Sequence, residues 1–344
     1  MTAPPHPPTV LPEPILVVGG YGYRNVGDEA ILASLLRTLE GRRVTVVSRL
    51  PAETAAMHEV RAVPITAAAG ELLSHRTLVI GGGGLFGADM GLVGRLLPAY
   101  GLAASVIGVT VVLHGVGVDR ALPATTAFAL RHLARRSAQV LVRDRRSAEV
   151  LRDWGVDAAI GPDLSAWLPA APPAVGAALL RSAGLDPRRP IVGLSLTAVN
   201  PEVAGAVLDV VEECIDALPE LQFCFIPMSQ HPFVAGHNDL LMARQLQARQ
   251  PRLRVLEGTP HPAQVLAAFG HLAAAVCMRY HSLLFATRAG VPTIPIAYAD
   301  KCRTWLAERG ETAVEPGAAA LIGHIRRLVP VRKAASVPVR KAAS

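Results

Sequence analysis

Residues 15–39 read ILVVGGYGYRNVGDEAILASLLRTL. Ile15–Val18 is an unbroken aliphatic run, of the kind that fills a strand covered on both faces of a parallel sheet. Gly19, Gly20 and Gly22 then allow a tight turn. From Glu29 to Leu39 the residues Ile31, Leu32, Leu35, Leu36 and Leu39 recur at helical spacing and make one apolar face. A strand, a glycine loop and a helix are the opening of a βαβ unit, and the pattern repeats along the chain.

Further strands are expected at Val44–Ser48, Thr77–Ile80, Val106–Leu113 and Val140–Arg143. Leu96–Leu113 has no charge and is long enough to raise the question of a membrane span. Pro98, Gly101 and Gly108 interrupt it and its second half is β-rich, so a short helix running into a buried strand explains it better. Leu168–Pro190 is rich in Pro and Ala, and an interdomain linker is placed at 171–190. The pattern then restarts, with strands expected at Ile191–Leu196, Gln222–Ile226, Arg254–Leu256, Ala273–Cys277 and Thr293–Ile296. Helices are expected at Glu202–Ala217, His237–Gln247 and Ser282–Ala289. The expected class is α/β: two Rossmann-like domains, 15–170 and 191–328, facing a cleft in a glycosyltransferase-B-like plan. In such sheets ligands bind beyond the carboxyl ends of the strands.

Composition agrees. Of 344 residues, 51% are hydrophobic and 18% charged, which excludes disorder for most of the chain. Cys214, Cys224, Cys277 and Cys302 show no Cys-x-x-Cys spacing, arguing against structural zinc and for a reducing compartment. The net charge of +7 suits anionic ligands or a membrane surface. Part of it comes from residues 329–344, where VPVRKAAS occurs twice; this reads as a disordered basic tail or as a weak tether to anionic lipid. Residues 1–14 are Pro-rich and read as a disordered arm, not a signal peptide, so a cytoplasmic location is expected. With few aromatics and no basic stripe among them, no nucleic-acid partner is expected.

Five motifs carry chemistry. The first, Gly19–Glu29, places Asp28 and Glu29 in the first turn of a helix, where they complement the dipole and repel a phosphate. It reads as a loop that binds sugar hydroxyls or supplies a carboxylate base, or more plainly as a tight turn with a stabilising acidic start. The second is Gly81-Gly82-Gly83-Gly84-Leu85-Phe86-Gly87. It formally satisfies G-x-G-x-x-G, but His114 and Gly115, not an acid, end the next strand, so a nicotinamide cofactor is not expected. Close backbone approach to a ligand at Gly83 and Gly84 is the functional reading. The third, Arg143-Asp144-Arg145-Arg146-Ser147, either draws an anionic substrate or is a solvated run capping a helix.

The fourth, Cys277-Met278-Arg279-Tyr280-His281-Ser282-Leu283, puts Arg279 and His281 between a strand end and a helix start. Ser282 is the expected N-cap of a helix ending at Gly290. That is a ready anion site, since guanidinium suits carboxylate and phosphate; the plainer reading is a histidine that caps the helix. Lys301 would add a second cation. The fifth is Pro227-Met228-Ser229-Gln230-His231, with His237 and Asp239 beyond it. It reads as a polar loop, with His231 or Asp239 lining the cleft, rather than as metal ligands.

At these residues the sequence resembles the polysaccharide pyruvyl transferase family, most closely its CsaB-like branch. The matching elements are Gly22…Asn25-Val26-Gly27-Asp28-Glu29-Ala30-Ile31-Leu32, the Gly81–Phe86 run, Arg143-Asp144…Ser147, and Met278-Arg279-Tyr280-His281-Ser282…Gly290-Val291-Pro292…Tyr298…Lys301, spanning residues 15 to 305. The resemblance implies phosphoenolpyruvate as donor substrate, ketal formation on a sugar and release of phosphate, with no cofactor or metal. In that branch the acceptor is typically a β-linked N-acetylmannosamine on a lipid-linked cell-wall glycan, and the ketal anchors S-layer proteins. Such an acceptor implies peripheral contact with the inner membrane leaflet. In one departure, Ser195-Leu196-Thr197 stands where the family often has an Arg after the first strand of the second domain.

The expected roles follow from this chemistry. Protonating the methylene of phosphoenolpyruvate makes C2 electrophilic, and His281 is the candidate acid. Arg279, then Lys301, would hold the carboxylate and phosphate. Asp28 and Glu29 are candidates for the base that serves the sugar hydroxyls. Asn25, Gly83, Gly84, Arg143, His231 and Ser282 are further candidates for substrate contact. The rival readings are a nucleotide-sugar-dependent glycosyltransferase of the same fold and a non-enzymatic glycan binder. Clustered Arg279 and His281 argue against the second.

Overall fold

The structure is a computed structural model that describes residues 11–87, 91–199, 201–296, 299–315 and 317–330. The expectations for residues 1–10, for the tail from 331 and for Tyr298 fall outside these residues. The first half alternates β1 (Ile15–Val18), α1 (Val26–Thr38), β2 (Val44–Ser48), α2 (Pro51–His58), β3 (Arg61–Pro64), α3 (Ala68–Leu72), β4 (Thr77–Phe86), α4 (Leu92–Val106), β5 (Thr110–Val118), α5 (Ala124–Arg136), β6 (Gln139–Val142), α6 (Arg145–Asp153) and β7 (Ala159–Ile160). The second half follows with α7 (Pro173–Ser182), β8 (Ile191–Ser195), α8 (Pro201–Ala217), β9 (Gln222–Phe225), α9 (Asp239–Arg249), β10 (Leu253–Val255), α10 (Pro262–Phe269), β11 (Ala274–Cys277), α11 (Tyr280–Arg288), β12 (Thr293–Pro295), α12 (Asp300–Ala307) and α13 (Ala318–Leu328).

Both sheets are parallel, in the orders β3-β2-β1-β4-β5-β6-β7 and β10-β9-β8-β11-β12. Strand order reverses between β1 and β4 in one sheet and between β8 and β11 in the other. Crevices open at such reversals, beyond the carboxyl ends of the strands. The loops after β1, β4, β8 and β11 are therefore where a ligand site is expected, and they carry the first, second and fourth motifs.

The two halves are joined by backbone. Val26 N–H donates to the Met228 carbonyl at 2.8 Å and Gln230 N–H to the Arg24 carbonyl at 2.9 Å, around an antiparallel bridge between Asn25 and Ser229. Ala30 and Ala33 of α1 are buried in one apolar cluster with Leu180, Leu266 and Phe269 of the second half.

Several expectations are corrected. β4 continues to Phe86, because the glycine run stays paired with β5, Gly81 opposite His114 and Gly83 opposite Val116. β5 begins at Thr110, not Val106, because α4 runs through Val106 and Gly108 turns the chain with φ +87°. The segment read as linker contains α7, seated on α10 so closely that a Cβ on Gly176 would lie 2.4 Å from the Ala267 carbonyl carbon. Leu11 is buried and Glu13 pairs with Arg42 at 3.1 Å, so residues 11–14 pack on the first domain. Among the described residues no helix is long and apolar enough to cross a membrane.

Candidate active site

Two helix starts, one from each domain, meet at the strand reversals. Asp28 lies in the first turn of α1 and His281 in the first turn of α11. The imidazole lies flat against the backbone of Gly27: a Cβ there would fall 1.9 Å from His281 Nδ1. Only glycine admits this approach. Gly27→Ala is accordingly expected to push His281 out of place and abolish turnover while the protein still folds, which circular dichroism and a phosphate-release assay would separate.

On its other side, His281 Nε2 is 3.7 Å from Oδ1 of Asp163, a residue not singled out from the sequence. Asp163 stands before the 3₁₀ turn Leu164–Trp167, and Oδ1 accepts hydrogen bonds from Ser165 N–H at 3.0 Å and Ser165 Oγ at 2.7 Å. Burial would raise its pKa, but His281, Arg143 and Ser165 prevail and hold the carboxyl well below the usual carboxylate range. His281 Nε2 is buried and makes no hydrogen bond among the described residues. Asp28 behaves in the opposite way. Burial pushes its pKa up to about 6, against the pull of His281 and Lys301, and Glu29 and Asp163 add to the rise.

Cations complete the site. Arg143 is largely buried, with Nη1 3.6 Å from Asp163 Oδ2 and Nε 3.3 Å from Asp144, and its guanidinium lies 5.6 Å above the Tyr280 ring. Lys301, at the start of α12, is exposed and within electrostatic reach of Arg143, Arg279 and Asp28. Gly83, at φ +79°, carries the β4 backbone past Asp28, 3.2 Å from its Oδ1 to a built Cβ, and Gly84 passes Arg143 at 3.4 Å. Asp28, His281, Arg143, Lys301, Gly83 and Gly84 thus come together as a group, with Asp163 behind them.

Other expected residues have different partners. Glu29 is buried; Oε1 accepts from Gly22 N–H at 2.8 Å and Oε2 meets His58 Nε2 at 2.8 Å. It braces its own loop, which leaves Asp28 as the candidate base. The Asn25 side chain accepts from Gly27 N–H at 3.0 Å and caps α1. Arg279 is gripped by both carboxylate oxygens of Asp239, at 2.7 and 2.6 Å, and Asp239 also accepts from Ser229 N–H at 2.9 Å. The expected first-choice cation therefore already faces a buried carboxylate, and Arg143 is likewise paired, with Asp163 and Asp144.

Ser282 is not the N-cap. α11 starts at Tyr280 with Arg279 at the cap, and Ser282 Oγ donates to the Arg279 carbonyl at 2.7 Å. His231 Nδ1 accepts from Phe233 N–H at 3.1 Å and Val234 N–H at 3.0 Å, and its ring stacks on Tyr23 of the other domain with centroids 5.1 Å apart. Where the family often has Arg, Thr197 is buried and hydrogen-bonds Asp239, and Ser195 Oγ is buried without a partner among the described residues.

The sequence matches the family described as polysaccharide pyruvyl transferase over residues 25–300. It matches none of the curated protein sequences. Among solved structures it is similar to S. aureus MnaA bound to UDP, with TM-score 0.63 and 12% identity over 92% of this chain and 88% of that one. It is also similar to the UDP-GlcNAc 2-epimerase of Neisseria meningitidis bound to UDP-GlcNAc, with TM-score 0.62 and 10% identity over 91% and 90%. Anabaena HepE in complex with UDP and glucose gives TM-score 0.58 and 13% identity over 91% and 89%. At these identities the likeness is one of fold: two Rossmann-like domains facing a cleft, in the glycosyltransferase-B-like plan.

Proposed function

The chain belongs to the polysaccharide pyruvyl transferase family, and from that premise we propose that it moves pyruvate from phosphoenolpyruvate onto a sugar as a ketal, with release of phosphate. The observation that carries this reading is the meeting of Asp28, with its pKa pushed up to about 6, and His281 across the domain boundary, beside Arg143 and Lys301. His281 protonates the methylene carbon, and the double-bond electrons form the new C–H bond, leaving C2 electron-poor. One sugar hydroxyl adds to C2 and gives its proton to Asp28. A second hydroxyl then takes the place of phosphate at C2: the C2–O bond to phosphate breaks, the hydroxyl's proton passes to His281 and restores the acid, and the proton held by Asp28 leaves with the phosphate. Arg143 and Lys301 counter the charge of the donor carboxylate and phosphate, as preorganised cations do where charge develops.

The acceptor we infer is a residue of a cell-wall glycan carried on lipid, probed first as a β-N-acetylmannosaminide. On this reading the protein works in the cytoplasm at the inner face of the membrane. No cofactor enters the scheme.

Calorimetry with phosphoenolpyruvate, UDP-N-acetylglucosamine and GDP-mannose tests the donor. Phosphoenolpyruvate alone is expected to bind, and Arg143→Ala to weaken it by roughly tenfold or more. Binding of a nucleotide sugar in its place would move the chain to glycosyl transfer. For Asp163→Asn we expect kcat to fall by about 10²-fold or more, as when a histidine loses the carboxylate that orients it. The pH profile of the remaining activity should move as well, which a purely structural loss would not cause.

A further inference from the structure

Outside the cleft, α4 and α5 present a face that the fold leaves uncovered. On α4, Leu92, Arg95, Leu96, Ala99, Ala103 and Val106 recur at helical spacing and are all exposed, with Leu92 at 72%, Leu96 at 57% and Val106 at 68%. The opposite side of α4 is seated. A Cβ on Gly101 would meet Leu133 of α5 at 2.8 Å and Ile80 of β4 at 2.9 Å. On α5, Phe128 is 65% exposed with its ring against His132, and Arg131, Arg135 and Arg136 are exposed after it. A soluble monomer seldom shows so many large apolar side chains on one face unless something covers them.

The charges say what covers them. Neither helix contains Asp or Glu; the charged side chains on both are Arg95, Arg131, Arg135 and Arg136. Apolar residues mixed with cations alone are the make-up of an element that lies in the interface of an anionic bilayer. A protein partner would leave Arg95, Arg131 and Arg136 needing matching carboxylates, while Arg135 already donates to the Trp154 carbonyl at 2.7 Å.

Position adds a reason. α4 and α5 follow β4 and β5, so Leu92, Leu96 and Phe128, within the first five residues of their helices, stand at the carboxyl ends of those strands. That is the rim that carries Gly83, Gly84 and, one strand on, Arg143. We propose that the α4–α5 face docks on an anionic lipid bilayer and sets the cleft beside the head of a lipid-linked acceptor. The acceptor clause rests on the function proposed above; bilayer binding does not.

The test is co-sedimentation of the full chain with vesicles of phosphatidylcholine alone and of phosphatidylcholine rich in phosphatidylglycerol, with no donor or acceptor present. Wild type is expected to pellet with the anionic vesicles. Leu96→Glu with Phe128→Glu should weaken partitioning by roughly tenfold or more, and Arg95→Gln with Arg131→Gln by about fivefold per arginine. All four positions are exposed, so the melting temperature should stay at the wild-type value. Wild type left in the supernatant would overturn the proposal. So would variants that bind as tightly as wild type but release when residues 331–344 are removed, which would give the binding to the tail. A wild-type dimer in sedimentation velocity that Leu96→Glu dissociates would assign the face to a second copy instead. Because the readout needs no catalysis, a failed pyruvyl-transfer assay leaves this result standing.

Discussion

Replacing His281 with glutamine is expected to lower kcat by roughly 10²–10⁴-fold, the usual worth of a placed general acid. The dissociation constant for phosphoenolpyruvate should change little, because Arg143 and Lys301, not the imidazole, are assigned the donor's charge. Loss confined to kcat marks an interaction made in the transition state only. Glutamine keeps the volume near Gly27 and a hydrogen-bonding end toward Asp163, so folding should survive. Phosphate release with a β-N-acetylmannosaminide acceptor, beside calorimetry of the donor, separates the two constants. An H281Q enzyme with wild-type turnover would end the acid assignment.

Asp28→Asn should move activity and stability in opposite directions. The variant loses the base, and kcat is expected to fall by roughly 10²–10⁴-fold. Its stability should rise. Burial pushes the Asp28 pKa up from 3.8 to about 6, so at neutral pH the folded protein holds a carboxylate that it would rather keep protonated. Below pH 4 the group is protonated folded or unfolded, and wild type and variant should match. Between pH 4 and 6 the unfolded chain releases its proton first, so wild type falls behind. Above pH 6 the gap is full, at most about 3 kcal/mol by linkage. Urea titrations at pH 4 and pH 8 measure it. Equal stabilities at both would show that Asp28 is not held at a cost. The same pKa sets the acid side of the wild-type profile, where kcat/KM should fall as pH drops below about 6.

Much of the architecture was legible in the chain. β1 and β2 match their expected limits because aliphatic runs buried on both faces have little else to become. β3 and β7 leave no such signal in the sequence, being short strands with mostly exposed or partly exposed residues. The glycine run hides the strand's extent for a physical reason: glycine weakens a strand, yet here Gly81 and Gly83 stay paired with β5, the register shifting between Gly83 and Phe86, while the missing Cβ atoms make room for Ile31, Asp28 and Arg143.

The site divides along the same line. His281, Asp28, Arg143 and Lys301 could be picked out because they stand at the ends of strands or the starts of helices, which is a local property. Which side chain faces which is not local. Arg279 finds Asp239 forty residues away, Glu29 finds His58 across its own domain, and Asp163 reaches His281 from the other domain. No spacing announces such pairs, and they decide whether a charged residue meets a ligand or is spent on the fold.

The stitch between Val26 and Met228 and between Arg24 and Gln230 bears on how the enzyme can move. Arg288 of the second domain also donates to the Ser165 carbonyl at 2.9 Å and to that of Leu168. The start of α1 and the turn holding Asp163 are therefore riveted to the body that carries His281, although both belong in sequence to the other half. Rotating one sheet away from the other would have to tear these hydrogen bonds. On the proposed mechanism, acid, base and orienting carboxylate are then expected to keep their spacing while substrates enter and leave from the side of the cleft where Lys301 stands.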